Sequence, residues 1–83
     1  MADKELGEAE KIGRMMHAIR TREGLTQAAW AKAAGIPQGH ISRMETGADG
    51  VPQLPRIKNV LEAIGYRLLL TARKTATEYE MTL

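Results

Sequence analysis

The strongest indication of the fold of this chain is the stretch QAAWAKAAGIPQGHISRME, residues 27–45. It holds two short segments with helical character, an alanine-rich one before Gly35 and a mixed polar and apolar one after it. A glycine between two such segments predicts a sharp turn, because glycine adopts the left-handed conformation at little cost. The stretch therefore predicts two helices that meet at Gly35 and pack against each other.

The spacing of small and apolar residues in this stretch fits a helix-turn-helix. With Gln27 as the first position, Ala31 is the fifth, Gly35 the ninth and Ile41 the fifteenth. The fifth position needs a small side chain because the two helices touch there, and the fifteenth needs an aliphatic side chain that holds the second helix on the first. An ordinary pair of antiparallel helices is the alternative. Further buried positions are predicted at Trp30, Ala34, Ile36 and Met44.

Apolar residues at helical spacing lie on both sides of this stretch and predict two further helices. One is predicted before it, from about Leu6 to Glu23, and one after it, ended by Gly65. The apolar positions of these two helices are Ile12, Met15, Met16 and Ile19 in the first and Leu54, Ile57, Val60, Leu61 and Ile64 in the second. The chain is therefore predicted to be mostly α-helical, with four or five helices.

Short turns separate the predicted helices. Gly24 ends the first helix, and Thr26 is the predicted N-cap of the second. The third helix is predicted over residues 38–46. A loop over 47–53 follows, since that stretch holds two glycines and Pro52.

The composition is that of one small globular domain, with 83 residues, 43% hydrophobic residues and no cysteine. The absence of cysteine excludes disulfides, thiolate metal ligands and thiol nucleophiles. Histidines and acidic residues do not stand at metal-ligand spacing, and Ser42 has no base arranged to activate it. We therefore predict no metal, no cofactor and no catalytic residue.

Positive charge is concentrated in the middle of the chain. Residues 11–74 carry eleven Lys and Arg against four acidic residues, whereas residues 1–10 and 75–83 are each net acidic. A basic compact domain attracts the phosphate groups of nucleic acids. A solvated surface without a partner is the alternative reading of this charge pattern.

The turn and its flanks resemble those of the XRE-type, or lambda-repressor-like, helix-turn-helix family. The likeness spans about residues 12–64, and its distinctive segments are Leu-Thr-Gln at 25–27 and Arg-Met-Glu-x-Gly at 43–47. Within that family, an apolar helix followed directly by a strand, as at 63–70, is most similar to HipB-type antitoxins. The resemblance implies that the third helix enters the major groove of DNA.

The resemblance also implies roles for individual side chains. Gln38 has the groups to pair with adenine, and Arg43 those to pair with guanine or a phosphate. Solvated side chains without a DNA contact are the alternative for Gln38 and His40. The residues implied to face bases are Gln38, Gly39, His40, Ser42 and Arg43, and those implied to face phosphates are Thr26, Gln27, Arg22 and Arg56.

Arg20 and Glu45 are implied by the resemblance to form a structural ion pair. The pair would join the first helix to the end of the reading helix, and a surface glutamate without a partner is the alternative. Removal of one member of a well-buried pair costs about 3–5 kcal/mol.

The chain departs from the family pattern at the start of the reading helix. Pro37 stands where Ser or Thr usually caps that helix, although proline suits a first helical turn. Gly39 replaces a side chain that commonly reads a base. Gly39 therefore either lets the backbone approach the DNA closely or abandons that base position.

The segment from Tyr66 to Ala72 is β-prone, and we expect it to be a single strand that pairs with the same strand of another copy. The residues predicted at this contact are Tyr66, Leu68, Leu69 and Leu70. The predicted organisation is then an acidic extension of the first helix (1–11), a DNA-binding domain (12–65), a dimerisation strand (66–74) and a weakly structured tail (75–83). An extra helix or a frayed tail is the alternative for the strand.

The sequence thus predicts a lambda-repressor-like domain whose C-terminal strand pairs across a homodimer. The resemblance implies a repressor that binds a palindromic double-stranded DNA operator and serves as the antitoxin of a toxin–antitoxin operon. The implied toxin is a HipA-like kinase, or a RelE-like RNase as second choice, and the implied location is the bacterial cytoplasm, at the nucleoid. A phage or restriction–modification controller and a protein-interaction module are the alternatives.

Overall fold

The computed structural model describes residues 7–83, which form four helices followed by a β-hairpin. The predicted helix start near Leu6, and most of the predicted extension over 1–11, lie outside the described residues. The elements are α1 (Glu8–Glu23), α2 (Gln27–Ala34), α3 (Gln38–Thr46), α4 (Leu54–Glu62), β1 (Leu69–Lys74) and β2 (Thr77–Thr82). Among residues 7–83, no helix combines the length and the apolar character that crossing a bilayer requires.

The first three helices each end at a glycine in the left-handed conformation, as the sequence predicts. The φ angle is +68° at Gly24, +70° at Gly35 and +77° at Gly47. At the start of α2, the Thr26 hydroxyl oxygen accepts a hydrogen bond of 3.0 Å from the backbone N–H of Ala29. These local signals fix the bounds of α2 and the corner between α2 and α3.

The core lies where the four helices meet. Each helix contributes one fully buried side chain, and these are Met16, Trp30, Ile41 and Val60. The Trp30 indole Nε1 donates a hydrogen bond of 2.7 Å to the backbone carbonyl oxygen of Val60. This bond satisfies the one polar group of a buried indole and ties α2 to α4.

Two positions predicted to be apolar contacts are largely exposed. Met15 is 41% exposed and Leu54 is 52% exposed. The core face of α1 is centred on Met16 and extends to the buried Gly13, so Met15 lies at its edge. Leu54 is the first residue of α4 and precedes the turns that meet the core.

Helices α1 and α3 approach each other closely at Gly13. A Cβ atom at this position would overlap the backbone carbonyl groups of Met44 and Glu45, at the end of α3. Gly13 has no positive φ angle, so the close contact rather than the backbone conformation requires glycine. The contact fixes the carboxyl end of α3 against the middle of α1.

The C-terminal segment is an antiparallel hairpin within one chain. Strand β1 pairs with β2, with Leu70 opposite Met81 and Ala72 opposite Tyr79. The prediction that residues 75–83 are weakly structured is therefore wrong, and so is the premise that β1 has no partner strand in its own chain. The acidic residues of β2 alternate with Tyr79 and Met81, which is the period-two pattern of a strand with one apolar face.

The strand also begins later than predicted. Tyr66 and Leu68 pack against the chain's own helical core, and β1 starts at Leu69. The Tyr66 hydroxyl donates a hydrogen bond of 2.7 Å to the Glu23 carboxylate, which raises the pKa of Tyr66. Of the residues predicted to contact a second copy, only Leu69 and Leu70 are exposed strand residues.

Candidate nucleic-acid interface

The outer side of α3 is open to a partner. Its two buried side chains face α1 and α2, which turns the opposite side of the helix outward. The residues predicted to read bases lie on α3 with different exposure: Gln38 and Arg43 are exposed, and Gly39, His40 and Ser42 are half-buried. A reading helix must present its polar side in this way to enter a groove.

The start of α3 lacks a side-chain cap. Pro37 occupies the N-cap with φ −64° and ψ 146° and makes no capping hydrogen bond through a side chain. The backbone N–H of His40 donates to the carbonyl oxygen of Pro37 at 3.0 Å. The fixed φ of proline thus sets the entry into α3 in place of the hydroxyl cap that the family pattern uses.

The Glu45 carboxylate joins the end of α3 to α1. Its side chain is 6% exposed, and that of Arg20 is 18% exposed. Arg20 Nε donates to Glu45 Oε2 at 2.5 Å, and Arg20 Nη2 donates to Glu45 Oε1 at 3.0 Å. Arg20 Nη1 also donates to the carbonyl oxygen of Leu25 at 3.1 Å. The ion pair is bidentate and holds the carboxyl end of α3 in place.

Opposing effects act on the charge of Glu45. Burial raises the pKa of Glu45, but the hydrogen bonds from Arg20 and Gln27, together with the positive charge of Arg20, outweigh it, so the pKa lies below its ordinary value. The hydrogen bond to Glu45 in turn raises the pKa of Arg20. Both groups are therefore charged at neutral pH.

Gln27 has a partner that the sequence does not reveal. Its amide Nε2 donates to Glu45 Oε1 at 3.2 Å. This contact orients the amide nitrogen toward the ion pair, so α2 is tied to the same carboxylate as α1. Because Glu45 uses one N–H of the amide, the Gln27 side chain has only its second N–H left to donate to a phosphate. This N–H lies next to the backbone N–H groups at the start of α2, which also favour anions.

Arg56 and His40 lie together where α4 begins beside α3. Arg56 Nη1 is 3.2 Å from His40 Nδ1. Because a guanidinium only donates hydrogen bonds, Nδ1 accepts, and the neutral imidazole carries its proton on Nε2. His40 therefore offers an N–H donor at the surface, next to the positive charge of Arg56.

Arg43 and Asp49 complete this surface, in an open cleft that His40 and Arg56 also line. Arg43 Nε donates to Asp49 Oδ2 at 2.7 Å. Asp49 lies in the loop after α3, within the predicted loop over 47–53, and the sequence indicates no role for it. The one sequence signal for this contact is that Asp49 follows Arg43 by six residues and comes shortly after Gly47, which ends α3.

Arg22 stands apart from this group. It lies in the last turn of α1 and lines a separate hollow with Ile19 and Tyr66. The structure thus brings Arg43, Arg56 and His40 to one surface but does not bring Arg22 to it. Within the described part of the chain, no three His, Asp or Glu side chains come together as a metal site would require.

Comparison with protein families agrees with this geometry. Residues 11–73 match the family model described as a helix-turn-helix domain. The match includes α2, α3, α4 and all but the first three residues of α1, and it ends within β1. No curated protein sequence matches the chain significantly.

Proposed function

Because this chain belongs to the helix-turn-helix domain family, we propose that it is a transcriptional regulator that binds specific sequences of double-stranded DNA. The observation that carries the proposal is the outward polar side of α3, flanked by the cationic groups of Arg43 and Arg56. A helix with an exposed polar side is the kind of element that enters the major groove and reads base edges.

In this proposal the first turns of α3 read base edges. The Gln38 amide offers a donor and an acceptor, which is the pair of groups that adenine N7 and N6 require. The Nε2–H of His40 suits the acceptors O6 and N7 of guanine, and Arg43 suits the same two atoms. Ser42 is a short polar group on the same side of the helix. Repression then follows by occupancy, since a bound protein blocks a promoter.

Phosphate groups on either side of the groove would meet the ends of neighbouring helices. Arg56 lies in the first turn of α4, and Thr26 and Gln27 lie at the start of α2. Helix N-termini favour anions because their backbone N–H groups and dipoles point at the ligand. Arg22 is the weakest phosphate candidate, since it lines a separate hollow with Tyr66 and does not line the cleft that holds Arg43 and Arg56.

We further propose that the protein is a homodimer, with a contact that differs from the predicted strand pair. By the register of the hairpin, Leu70, Ala72, Tyr79 and Met81 share one face, with Lys74 at its tip. All twelve strand residues are exposed, and an isolated two-stranded hairpin is marginal in water. A second copy is the favoured occupant because a twofold contact requires a self-complementary patch, and an apolar patch meets its own copy without charge repulsion.

Tyr79→Lys tests this dimer. Placing a charge in the apolar patch is expected to produce monomers in analytical ultracentrifugation. Thr71→Lys is the matched control, because Thr71 lies on the opposite face of the same hairpin and the charge change is equal. Dimers that survive Tyr79→Lys, or a wild-type protein that is monomeric at all concentrations, would refute the contact.

The antitoxin role is part of the proposal and rests on the resemblance to HipB-type antitoxins. The feature that indicated this subtype was an apolar helix followed directly by a strand, and the expected pairing of that strand with a second copy is not what the fold has, because β1 pairs within its own chain. We therefore rank DNA binding first and toxin neutralisation second. Co-purification of a HipA-like kinase or a RelE-like RNase with the tagged full chain would support the antitoxin role. DNA binding without such a partner would favour a phage or restriction–modification controller.

The DNA-binding proposal is tested by fluorescence anisotropy on the region upstream of the protein's own gene, at several salt concentrations. Arg56→Ala is expected to weaken binding to every sequence and to lower the slope of log K against log salt by about 1. Arg73→Ala, on the hairpin, changes the net charge equally and serves as the control. Binding that is absent, or that does not respond to salt, would refute the proposal and favour a protein-interaction module.

A further inference from the structure

The orientation of the Arg43 guanidinium is set by two neighbours. Asp49 Oδ2 accepts a hydrogen bond of 2.7 Å from Arg43 Nε. The two side chains are 47% and 69% exposed, so this ion pair contributes little to the free energy of folding. The contact therefore matters for where the guanidinium points rather than for the stability of the fold.

The second neighbour is Gly39, one helical turn before Arg43. A Cβ atom at Gly39 would lie 3.0 Å from Nη1 of Arg43, closer than an ordinary van der Waals contact. Gly39 has no positive φ angle, so the backbone does not require glycine there. The Arg43 guanidinium thus lies over the space that a side chain at position 39 would occupy.

This arrangement restricts how Arg43 can pair with a base. A guanidinium carries five N–H groups, one on Nε and two on each Nη. With Nε engaged by Asp49, the pairing that uses Nε and one Nη is blocked. The pairing that remains uses Nη1 and Nη2, whose spacing fits the O6 and N7 atoms of guanine.

We infer that Asp49 is a positioning residue for base recognition, which holds Arg43 over Gly39 so that Nη1 and Nη2 read guanine. The inference rests on the proposed function, since it requires α3 to lie in the major groove. In this inference, Arg43 reads the base that a side chain at position 39 commonly reads. That base is therefore still recognised, and Gly39 does not serve to bring the backbone close to the DNA.

The test is selection of binding sites from a random-sequence duplex library by the full-length protein. The wild type is expected to enrich a motif with one guanine per half-site that depends on Arg43. Asp49→Ala and Gly39→Ala are each expected to lower the preference for that guanine by about 5-fold or more, within the roughly 5- to 150-fold that one bidentate contact provides. Asp49→Asn retains an acceptor for Nε and is expected to be intermediate.

A second measurement separates positioning from a structural effect. Affinity for a random-sequence duplex is expected to be unchanged or increased in Asp49→Ala, because a negative charge near the phosphates is lost. Glu62→Ala makes the same charge change at an exposed position of α4 and is expected to leave the guanine preference intact. In the Arg43→Ala background, Asp49→Ala is expected to have no further effect on base preference.

The outcomes distinguish this inference from the proposed function. If the wild type enriches no motif, the proposed function fails and the inference fails with it. If the wild type enriches a motif and the Asp49→Ala and Gly39→Ala proteins enrich the same one, only the inference is refuted. An equal loss of specific and random-sequence binding in Asp49→Ala would also refute it, because that result indicates a damaged helix rather than a misplaced guanidinium.

Discussion

Replacing Arg20 by Met removes the partner of an almost fully buried carboxylate. Loss of one member of a buried ion pair costs about 3–5 kcal/mol. Arg20 is partly exposed, so we expect the lower end, about 3 kcal/mol of unfolding free energy. For a domain of this size that corresponds to a fall in Tm of roughly 12–24 °C. The loss is a large share of a total stability of about 5–15 kcal/mol.

The effect of pH follows from the direction of the pKa shift. In the wild type, the pKa of Glu45 in the folded chain lies below its ordinary value of 4.5, so the stabilisation by the charged pair is present above that pH. It is lost as the pH falls through the folded-state pKa. In Arg20→Met, burial acts on Glu45 without its main counter-charge, which raises the folded-state pKa relative to the wild type. The stability difference between the two proteins is therefore expected to shrink as the pH falls from the folded-state pKa of Glu45 in Arg20→Met to the lower folded-state pKa of Glu45 in the wild type.

Urea denaturation from pH 3 to pH 7 measures this difference. Trp30 is the only tryptophan and is fully buried, so its fluorescence reports unfolding. Arg14→Met is the matched control, because Arg14 is exposed on the same helix, and a change within about 0.5 kcal/mol is expected. A destabilisation by Arg20→Met that is equal at pH 3 and pH 7 would refute the electrostatic reasoning. The loss would then come from packing and from the bond to Leu25.

Three further substitutions test the packing and the turns by thermal denaturation. Gly13→Ala is expected to destabilise the protein by about 1–3 kcal/mol, because the added Cβ overlaps the end of α3. Alanine normally stabilises a helix interior relative to glycine, so a raised Tm would contradict the close approach of α1 and α3. Trp30→Phe is expected to cost about 1–3 kcal/mol, because the Val60 carbonyl oxygen loses the indole N–H that donates to it. A smaller effect would mean that water or another donor replaces the indole N–H. Gly35→Ala is expected to cost about 1–2 kcal/mol from the left-handed φ alone, since no atom outside Gly35 and its two chain neighbours lies within 4 Å of the added carbon. An unchanged Tm would argue against that conformation in solution.

The sequence alone was sufficient for the presence of the helices and for the corner between α2 and α3, although α4 ends at Glu62 and not at the predicted Gly65. The bounds of α2 and α3 follow from Thr26, Gly35 and Gly47, whose effects on the backbone act over three or four residues. The buried Ala31 and Ile41 follow from helical spacing, for the same reason. Local signals of this kind do not depend on the rest of the chain.

Contacts between distant segments were beyond the reach of the sequence. The second strand was not predicted, although Tyr79 and Met81 alternate with acidic residues, because so short an alternation is a weak signal until Ala72 and Leu70 are found opposite it. The exposure of Met15 likewise depends on how α1 is rotated against α3, which no spacing within α1 determines.

The helix-turn-helix and the polar side of α3 follow from the sequence alone, because periodicity and turn residues encode both locally. How those polar groups are held follows from the packing of the folded chain. In the folded chain, Glu45 accepts hydrogen bonds from Arg20 and Gln27. Arg56 donates to His40, and Arg43 donates to Asp49. These hydrogen bonds depend on distances of about 3 Å between side chains from different segments, and such distances follow from packing rather than from spacing along the chain.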